Sequence, residues 1–189
     1  MKKFLSRTTL LLCMLIALPA LAHGNDSAAE QRRQIDQLSE KTLDMLYAKY
    51  PHAQRVINNC YAWATLSNTG LKLGLFGSAH GRGVAVNNVT GERVYLHMEE
   101  QSVGLGIGAK EYNLIFLIDN REAWDNFIIG KIRFGASADA SANDSVNGGS
   151  IEGAEYAAPG VWVLQMTTKG LALEAELKGT KIYKDKKLN

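Results

Sequence analysis

The chain has 189 residues, with 21 Lys and Arg against 19 Asp and Glu, which gives a formal net charge of +2. The positive excess lies in the first 22 residues, because residues 23–189 hold 18 basic and 19 acidic side chains. A domain with this balance lacks the overall positive charge that long-range attraction to nucleic acid requires, so nucleic acid is not predicted as a partner.

The first 22 residues have the organisation of a secretory signal peptide. Three basic residues precede an apolar run over residues 10–18, and Ala20-Leu21-Ala22 matches a cleavage site. The sequence therefore predicts cleavage before His23 and export, to the periplasm or out of the cell. Residues 23–189 are expected to form a single domain.

A capping box predicts where the first helix begins. Ser27-Ala28-Ala29-Glu30 places a hydroxyl and a carboxylate where they can satisfy free amide groups of a helix start. We expect a helix from about 28 to 50, ended by Pro51, and a short second helix from Pro51 to about Cys60. Four acidic and four basic residues balance the first helix, so it is expected to pack on its own domain rather than on a membrane. Its predicted apolar face consists of Ile35, Leu38, Leu43, Met45, Leu46 and Tyr50.

The chain after Cys60 changes to glycine-punctuated runs rich in β-forming residues, which predict a sheet. VAVNNVTGERVYLHM (84–98) predicts two strands around a turn at 89–91, with Val94, Leu96 and Met98 on one face. YNLIFLID (112–119) predicts a core strand. The glycine motifs GLFGSAHGRG and GLGIGAK do not have the spacing of a phosphate-binding loop, so they predict turns and bulges of a curved sheet.

A third helix is predicted over 121–129, where Asp119-Asn120 can cap its start and Gly130 can close its end. KIRF is expected to begin another strand, in which Lys131 and Arg133 occupy alternate positions and therefore face the same side. A polar loop follows. VWVLQMTTKG (161–170) then predicts a further strand.

LALEAELK (171–178) consists of helix-forming residues between two glycines, but its pattern has a period of two. On a strand one face would hold Leu171, Leu173, Ala175 and Leu177, whereas a helix would direct these leucines to opposite sides. Burial of three leucines, at about 1.5–3 kcal/mol each, outweighs a helix propensity of a few tenths of a kcal/mol per residue. The segment therefore predicts a half-buried antiparallel strand that continues into GTKIY.

Together these elements predict an α+β fold. N-terminal helices would pack on a curved, mainly antiparallel β-sheet or barrel-like sandwich of six or more strands. Cys60 is the single cysteine after residue 22, so no internal disulfide is expected to support this fold.

Four segments of the chain resemble the SYLF domain in its secreted bacterial form. They are LDMLYAKYPHAQRVI, GLFGSAHGRGVAV, GLGIGAK and KGLALEAELKGTKI, and the resemblance extends from about Leu43 to Ile182. It implies a lipid-binding domain without enzymatic activity. Eukaryotic members bind phosphoinositide membranes and some bind actin filaments, whereas for an exported protein the resemblance implies anionic phospholipid of the cell envelope.

Two groups of basic residues are the candidate lipid-binding residues. Lys178, Lys181 and Lys184 lie near the carboxyl end, and Lys131 and Arg133 form the second group. Such donors bind phosphate headgroups, and each contributes on the order of 1 kcal/mol near an anionic surface. Two alternatives stay open: the lysines can protect an edge strand from pairing with another chain, and the protein can bind an envelope protein instead of lipid.

Cys60 raises a catalytic alternative, because Asn59-Cys60-Tyr61-Ala62-Trp63 is similar to the nucleophile segment of papain-like cell-wall peptidases. His97 would be the base of such a hydrolase. No third orienting group is evident, so we assign no catalytic residue and expect Cys60 to be buried. The histidines and carboxylates lack metal-ligand spacing, and neither a metal nor a cofactor is predicted.

Overall fold

The computed structural model describes residues 27–132, 134, 151–167, 170–171 and 180–189, with the backbone alone for 69–79, 101–110 and 170–171. The predicted signal peptide and most of the predicted strand over 171–178 lie outside these residues and stay predictions. The elements are α1 (Ala28–Lys49), α2 (Ala53–Asn59), β1 (Ala62–Asn87), β2 (Arg93–Ile118), α3 (Arg121–Ile128), β3 (Glu155–Ala158), β4 (Val161–Thr167), β5 (Gly170–Leu171) and β6 (Thr180–Lys184).

The described strands form one sheet in which every pairing is antiparallel, which confirms the predicted α+β class. Its order is β1-β2-β4-β3, with β5 paired to β4 and β6 paired to β2. The central unit is the hairpin of β1 and β2, each 26 residues long. The glycine motifs were expected to mark turns and bulges. The strands run through both motifs without a turn, while a register shift between Gly74 and Phe76 agrees with the predicted bulges.

The β1–β2 hairpin folds back on itself, so that the two ends of β1 touch. A Cβ atom on Gly83 would lie 1.9 Å from the carbonyl oxygen of Thr65 and 2.7 Å from Cγ of Leu66. A Cβ atom on Gly81 would lie 2.9 Å from the carbonyl oxygen of Ser67. These pairs are not register partners, because Gly83 pairs with Leu96 in the neighbouring strand. Only glycine permits this approach, and we call the contact the β1 crossover.

The inner face of the curled hairpin forms the main core. The alternation predicted for 93–98 is confirmed, because Val94, Leu96 and Met98 are buried while Arg93, Tyr95 and His97 remain partly or largely exposed. Leu114 and Phe116 pack in the same cluster. The predicted core strand at 112–119 is thereby confirmed as the end of β2.

Helix α1 begins where the capping box predicts. The Ser27 hydroxyl accepts a hydrogen bond from the Glu30 amide at 3.2 Å, while the Glu30 carboxylate pairs with Arg33. The side of α1 that packs on the domain differs from the predicted apolar face, because Leu38 is 49% exposed. The buried residues are Ile35, Ser39, Thr42 and Leu46.

Small polar residues let α1 lie close to β1. Thr65 of β1 donates a hydrogen bond of 2.7 Å to the Ser39 hydroxyl, and Thr42 donates to the carbonyl of Leu38. On the same helix Asp36 accepts hydrogen bonds from Arg93 at 2.6 Å and from the Tyr95 hydroxyl at 3.0 Å. Charged and polar groups of α1 therefore face the sheet, which confirms that the helix packs on its own domain.

The predicted third helix is confirmed as α3. Asn120 caps its start by accepting from the Ala123 amide at 2.9 Å. Trp124 and Phe127 are buried in the main core, so these aromatic side chains pack inside the protein. Helix α2 likewise lies within the predicted 51–60 and buries Val56 and Ile57.

We predict that Gly83→Ala lowers the free energy of unfolding by about 3 kcal/mol or more, because the methyl group would overlap the Thr65 carbonyl. Gly91→Ala is the matched control: Gly91 has φ +73° with open space around it, so the expected cost is about 1–2 kcal/mol. Urea unfolding of both variants measures the difference. Equal losses would show that the ends of β1 are not in contact.

Candidate lipid-binding surface

Lys131 lies at the end of α3 and not in a strand, so the predicted pairing of Lys131 and Arg133 on one strand is wrong for Lys131. The Gly130 amide donates to the carbonyl of Phe127 at 3.2 Å, and the Lys131 amide donates to that of Asn126 at 3.0 Å. These two bonds form a Schellman motif, which occupies the Lys131 amide that a strand would need. Arg133 lies outside the described residues.

A close backbone contact brings the end of α3 against β6. Gly130 has φ +74°, and a Cβ atom there would lie 2.9 Å from the carbonyl oxygen of Ile182 and 3.1 Å from Cβ of Tyr183. Lys131 follows Gly130, and Lys181 precedes Ile182. The contact therefore brings Lys131 to β6, although about fifty residues separate them in the sequence.

Lys131, Lys181 and Lys184 are all exposed, and we call this group the basic corner. Ile129, also exposed at 55%, adds an apolar side chain beside it. Lys178, the remaining predicted lipid-binding residue, lies outside the described part of the chain. Three of the five predicted residues are thus exposed positions at the end of α3 and on β6.

A network on the outer face of β2 and β6 fixes Tyr183 beside the basic corner. The Lys181 ammonium lies 5.7 Å from the centre of the Tyr183 ring. The Tyr183 hydroxyl donates to the Glu99 carboxylate at 2.7 Å, and this hydrogen bond raises the pKa of Tyr183 to about 12. Glu99 places one negative charge near the lysines, so the surface is mixed in charge rather than uniformly basic.

A groove with a volume of about 390 Å³ opens next to the basic corner. Its lining combines side-chain amides and apolar walls with one cation, Lys131, and one carboxylate, Glu122. The lining residues are Asn120, Glu122, Ala123, Asn126, Lys131, Ile132, Ala158, Pro159 and Gly160. This combination can accommodate a polar headgroup with a short apolar attachment.

Cys60 lies in an environment that keeps the thiol protonated. Its side chain is 2% exposed, and the thiol is within hydrogen-bonding distance, 3.1 Å, of the carbonyls of both Ile57 and Ala62. Burial raises the pKa of the Cys60 thiol to about 12. The described contacts of His97 are with Tyr183 and Glu99, so the proposed nucleophile and base are not brought together.

Sequence reasoning missed a buried polar cluster made of Asn68, Glu100, Tyr112 and Thr180. The Asn68 amide nitrogen donates to the Glu100 carboxylate at 3.1 Å, and the Tyr112 hydroxyl also donates to that carboxylate. A signal was present, because Glu100 continues the alternating series of Val94, Leu96 and Met98 and must therefore face the core.

The described residues contain neither a metal-ligand group nor a helix that could cross a membrane. No group of three or more His, Cys, Asp or Glu side chains in that part of the chain is arranged to hold a metal ion. None of the described helices is long and apolar enough to span a membrane.

Comparison with known proteins gives two matches. Residues 99–189 match the Ysc84 family, described as Las17-binding protein actin regulator. The chain is also similar to Beta cell expansion factor A of Aeromonas veronii, with 30% identity over 165 residues. That alignment covers 86% of this chain and 60% of the relative, so the chain spans less than two thirds of the relative's length. These matches confirm the resemblance seen in the sequence, and residues 99–189 belong to the SYLF (Ysc84) family.

Proposed function

We propose that this protein is a non-catalytic binder of anionic phospholipid membranes, and that the basic corner is its contact surface. The observation that carries the proposal is the packing of Gly130 on Ile182, which places Lys131 next to the strand that carries Lys181 and Lys184. A surface assembled from distant segments can present several ammonium groups to one membrane patch. Arg133 and Lys178 are proposed as further contacts on the basis of the sequence.

The chemistry of the basic corner fits an anionic interface. Ammonium groups on long flexible stems reach phosphate oxygens while their carbon chains cover apolar surface. Ile129 supplies an exposed apolar side chain that can enter the headgroup region. Glu99 opposes part of the positive charge, so we expect binding of moderate strength that depends on the anionic content of the membrane.

The groove offers a place for a single headgroup. Lys131 can pair with a phosphate, and the Asn120 and Asn126 amides can bind hydroxyl or phosphate oxygens. The Glu122 carboxylate disfavours a purely anionic ligand and favours one that also carries hydrogen-bond donors. We therefore propose that the lipid headgroup, rather than the acyl chain, is the part of the ligand that the groove binds.

Export and location are part of the proposal. The organisation of residues 1–22 supports secretion, and the ligand would then be phospholipid of the bacterial envelope or of a surface met outside the cell. A protein partner is the second candidate, supported by the description of the matching family as a Las17-binding protein. The same exposed lysines could then bind an acidic protein surface.

We predict that the double variant Lys181→Glu/Lys184→Glu weakens vesicle binding at least about thirtyfold. Each lysine contributes roughly 1 kcal/mol near an anionic surface, so the loss of two gives that factor before repulsion is counted. Co-sedimentation of the purified protein with vesicles of increasing phosphatidylglycerol content measures the effect. Binding by the unmodified protein should rise with anionic lipid and fall between low and moderate salt.

The matched control is Lys41→Glu/Arg55→Glu, which makes the same change in net charge at exposed positions of α1 and α2. It should bind vesicles nearly as well as the unmodified protein. If both double variants lose binding equally, only net charge matters and the basic corner is not the site. If the unmodified protein binds no vesicle, the protein-partner function is favoured.

We also predict that Cys60 in the folded protein reacts with iodoacetamide at pH 8 roughly a thousandfold more slowly than a free cysteine. The reactive species is the thiolate, and raising the pKa from 9.0 to about 12 reduces its fraction by that factor. The rate should recover in urea. Rapid alkylation of the native protein would instead support the cysteine hydrolase.

A further inference from the structure

The buried polar cluster of Asn68, Glu100, Tyr112 and Thr180 contains two polar atoms that have no hydrogen-bond partner in the part of the chain that the structure describes. They are Oδ1 of Asn68 and Oγ1 of Thr180, each with almost no exposed surface. Leaving such an atom unpaired in the interior costs about 1–3 kcal/mol. The amide oxygen is an acceptor and the hydroxyl can accept as well as donate, so both atoms can bind a ligand that donates hydrogen bonds.

The sheet places all four side chains in one small volume. Asn68 and Tyr112 are direct register partners of β1 and β2, and Glu100 and Thr180 are direct partners of β2 and β6. Side chains of direct partners share one face of the sheet. Glu100 then connects the two pairs, because its carboxylate accepts from both Asn68 and Tyr112.

The orientation of the Asn68 amide follows from this network. Its nitrogen must face the Glu100 carboxylate, since the opposite orientation would set two acceptors against each other. Oδ1 therefore points away from Glu100 and stays an acceptor. The cluster therefore offers three oxygen groups to a donor: Oδ1 of Asn68, the Thr180 hydroxyl and the Glu100 carboxylate.

The charge of the cluster limits the ligand further. Among the described residues no Lys, Arg or His forms an ion pair with Glu100. One buried carboxylate balances one positive charge, whereas a divalent cation would leave an excess charge and would require six to eight oxygen ligands if it were calcium. A primary ammonium group carries one positive charge and three N–H donors. Its three donors match the three oxygen groups of the cluster in number.

We propose that this cluster binds a primary ammonium group, of the kind carried by the ethanolamine headgroup of an aminophospholipid. Glu100, Tyr112 and Thr180 are 7%, 8% and 7% exposed, which places the cluster just below the surface and within reach of a small headgroup. A free alkylamine offers the same chemistry. The assignment to a lipid rests on the proposed function, whereas the binding of an ammonium group does not.

The test compares two soluble headgroups, glycerophosphoethanolamine and glycerophosphocholine, in thermal unfolding of the purified full chain. The second compound carries three methyl groups in place of the three N–H donors and is the matched control. Glycerophosphoethanolamine should raise Tm by about 3 °C or more once it exceeds its Kd tenfold, and glycerophosphocholine should not. Ethanolamine alone should also raise Tm if the ammonium group is sufficient.

Thr180→Val keeps the shape of the side chain and removes Oγ1, so it should weaken glycerophosphoethanolamine binding about tenfold or more. As a second measurement, the side-chain amide resonance of Asn68 should shift with ethanolamine and not with choline in the unmodified protein. This measurement does not depend on the folding of any variant. The Lys181→Glu/Lys184→Glu protein should keep the response to soluble ethanolamine.

Equal effects of the ethanolamine and choline compounds on Tm, no effect of either compound, or an unchanged Asn68 resonance would each overturn the proposal. Those results would mean that water completes the cluster. A response to ethanolamine without binding to any vesicle would leave the ammonium site in place and contradict the lipid-binding function alone. The two proposals can therefore fail separately.

Discussion

The contact between the two ends of β1 at Gly81 and Gly83 is the constraint on which the rest of the structure depends. A flat hairpin of two 26-residue strands would expose its apolar face along its whole length. Folding the hairpin back lets the face of Leu66 meet that of Leu96, and both become fully buried. The core therefore depends on two positions where a side chain is absent, rather than on a particularly large apolar residue.

The same crossover explains where polar chemistry appears in the protein. Curling brings Glu100 near one end of the hairpin into contact with Tyr112 near the other end, so a carboxylate becomes buried with an amide and a phenol as its partners. A second close glycine contact, between Gly130 and β6, sets the end of α3 and Lys131 next to the strand that carries the exposed lysines. The buried cluster and the basic corner are thus two products of close backbone packing around β2 and β6, which directly pair with each other.

The sequence predicted features that depend on neighbours within one element. The caps of α1 and α3 and the alternation of Val94, Leu96 and Met98 need only local hydrogen bonds or a period of two, and all are confirmed. The crossover could not be predicted, because the sequence around Gly83 contains no signal that Gly83 contacts Thr65. Lys131 was misplaced in a strand because the alternation of KIRF does not show that the Lys131 amide is already used by the Schellman motif that ends α3. On α1, Leu38 is exposed while the hydroxyl residues Ser39 and Thr42 are buried. A pattern of apolar residues alone could not predict this packing.

The measurement that tests the crossover most directly is a set of nuclear Overhauser effects from the α-protons of Gly83. The crossover predicts strong effects to the side chain of Leu66, since a Cβ atom on Gly83 would lie only 2.7 Å from Cγ of that residue. Effects from Gly83 to its register partner Leu96 and the adjacent strand, with none to Leu66, would indicate an uncurled hairpin. That result would contradict the β1 crossover.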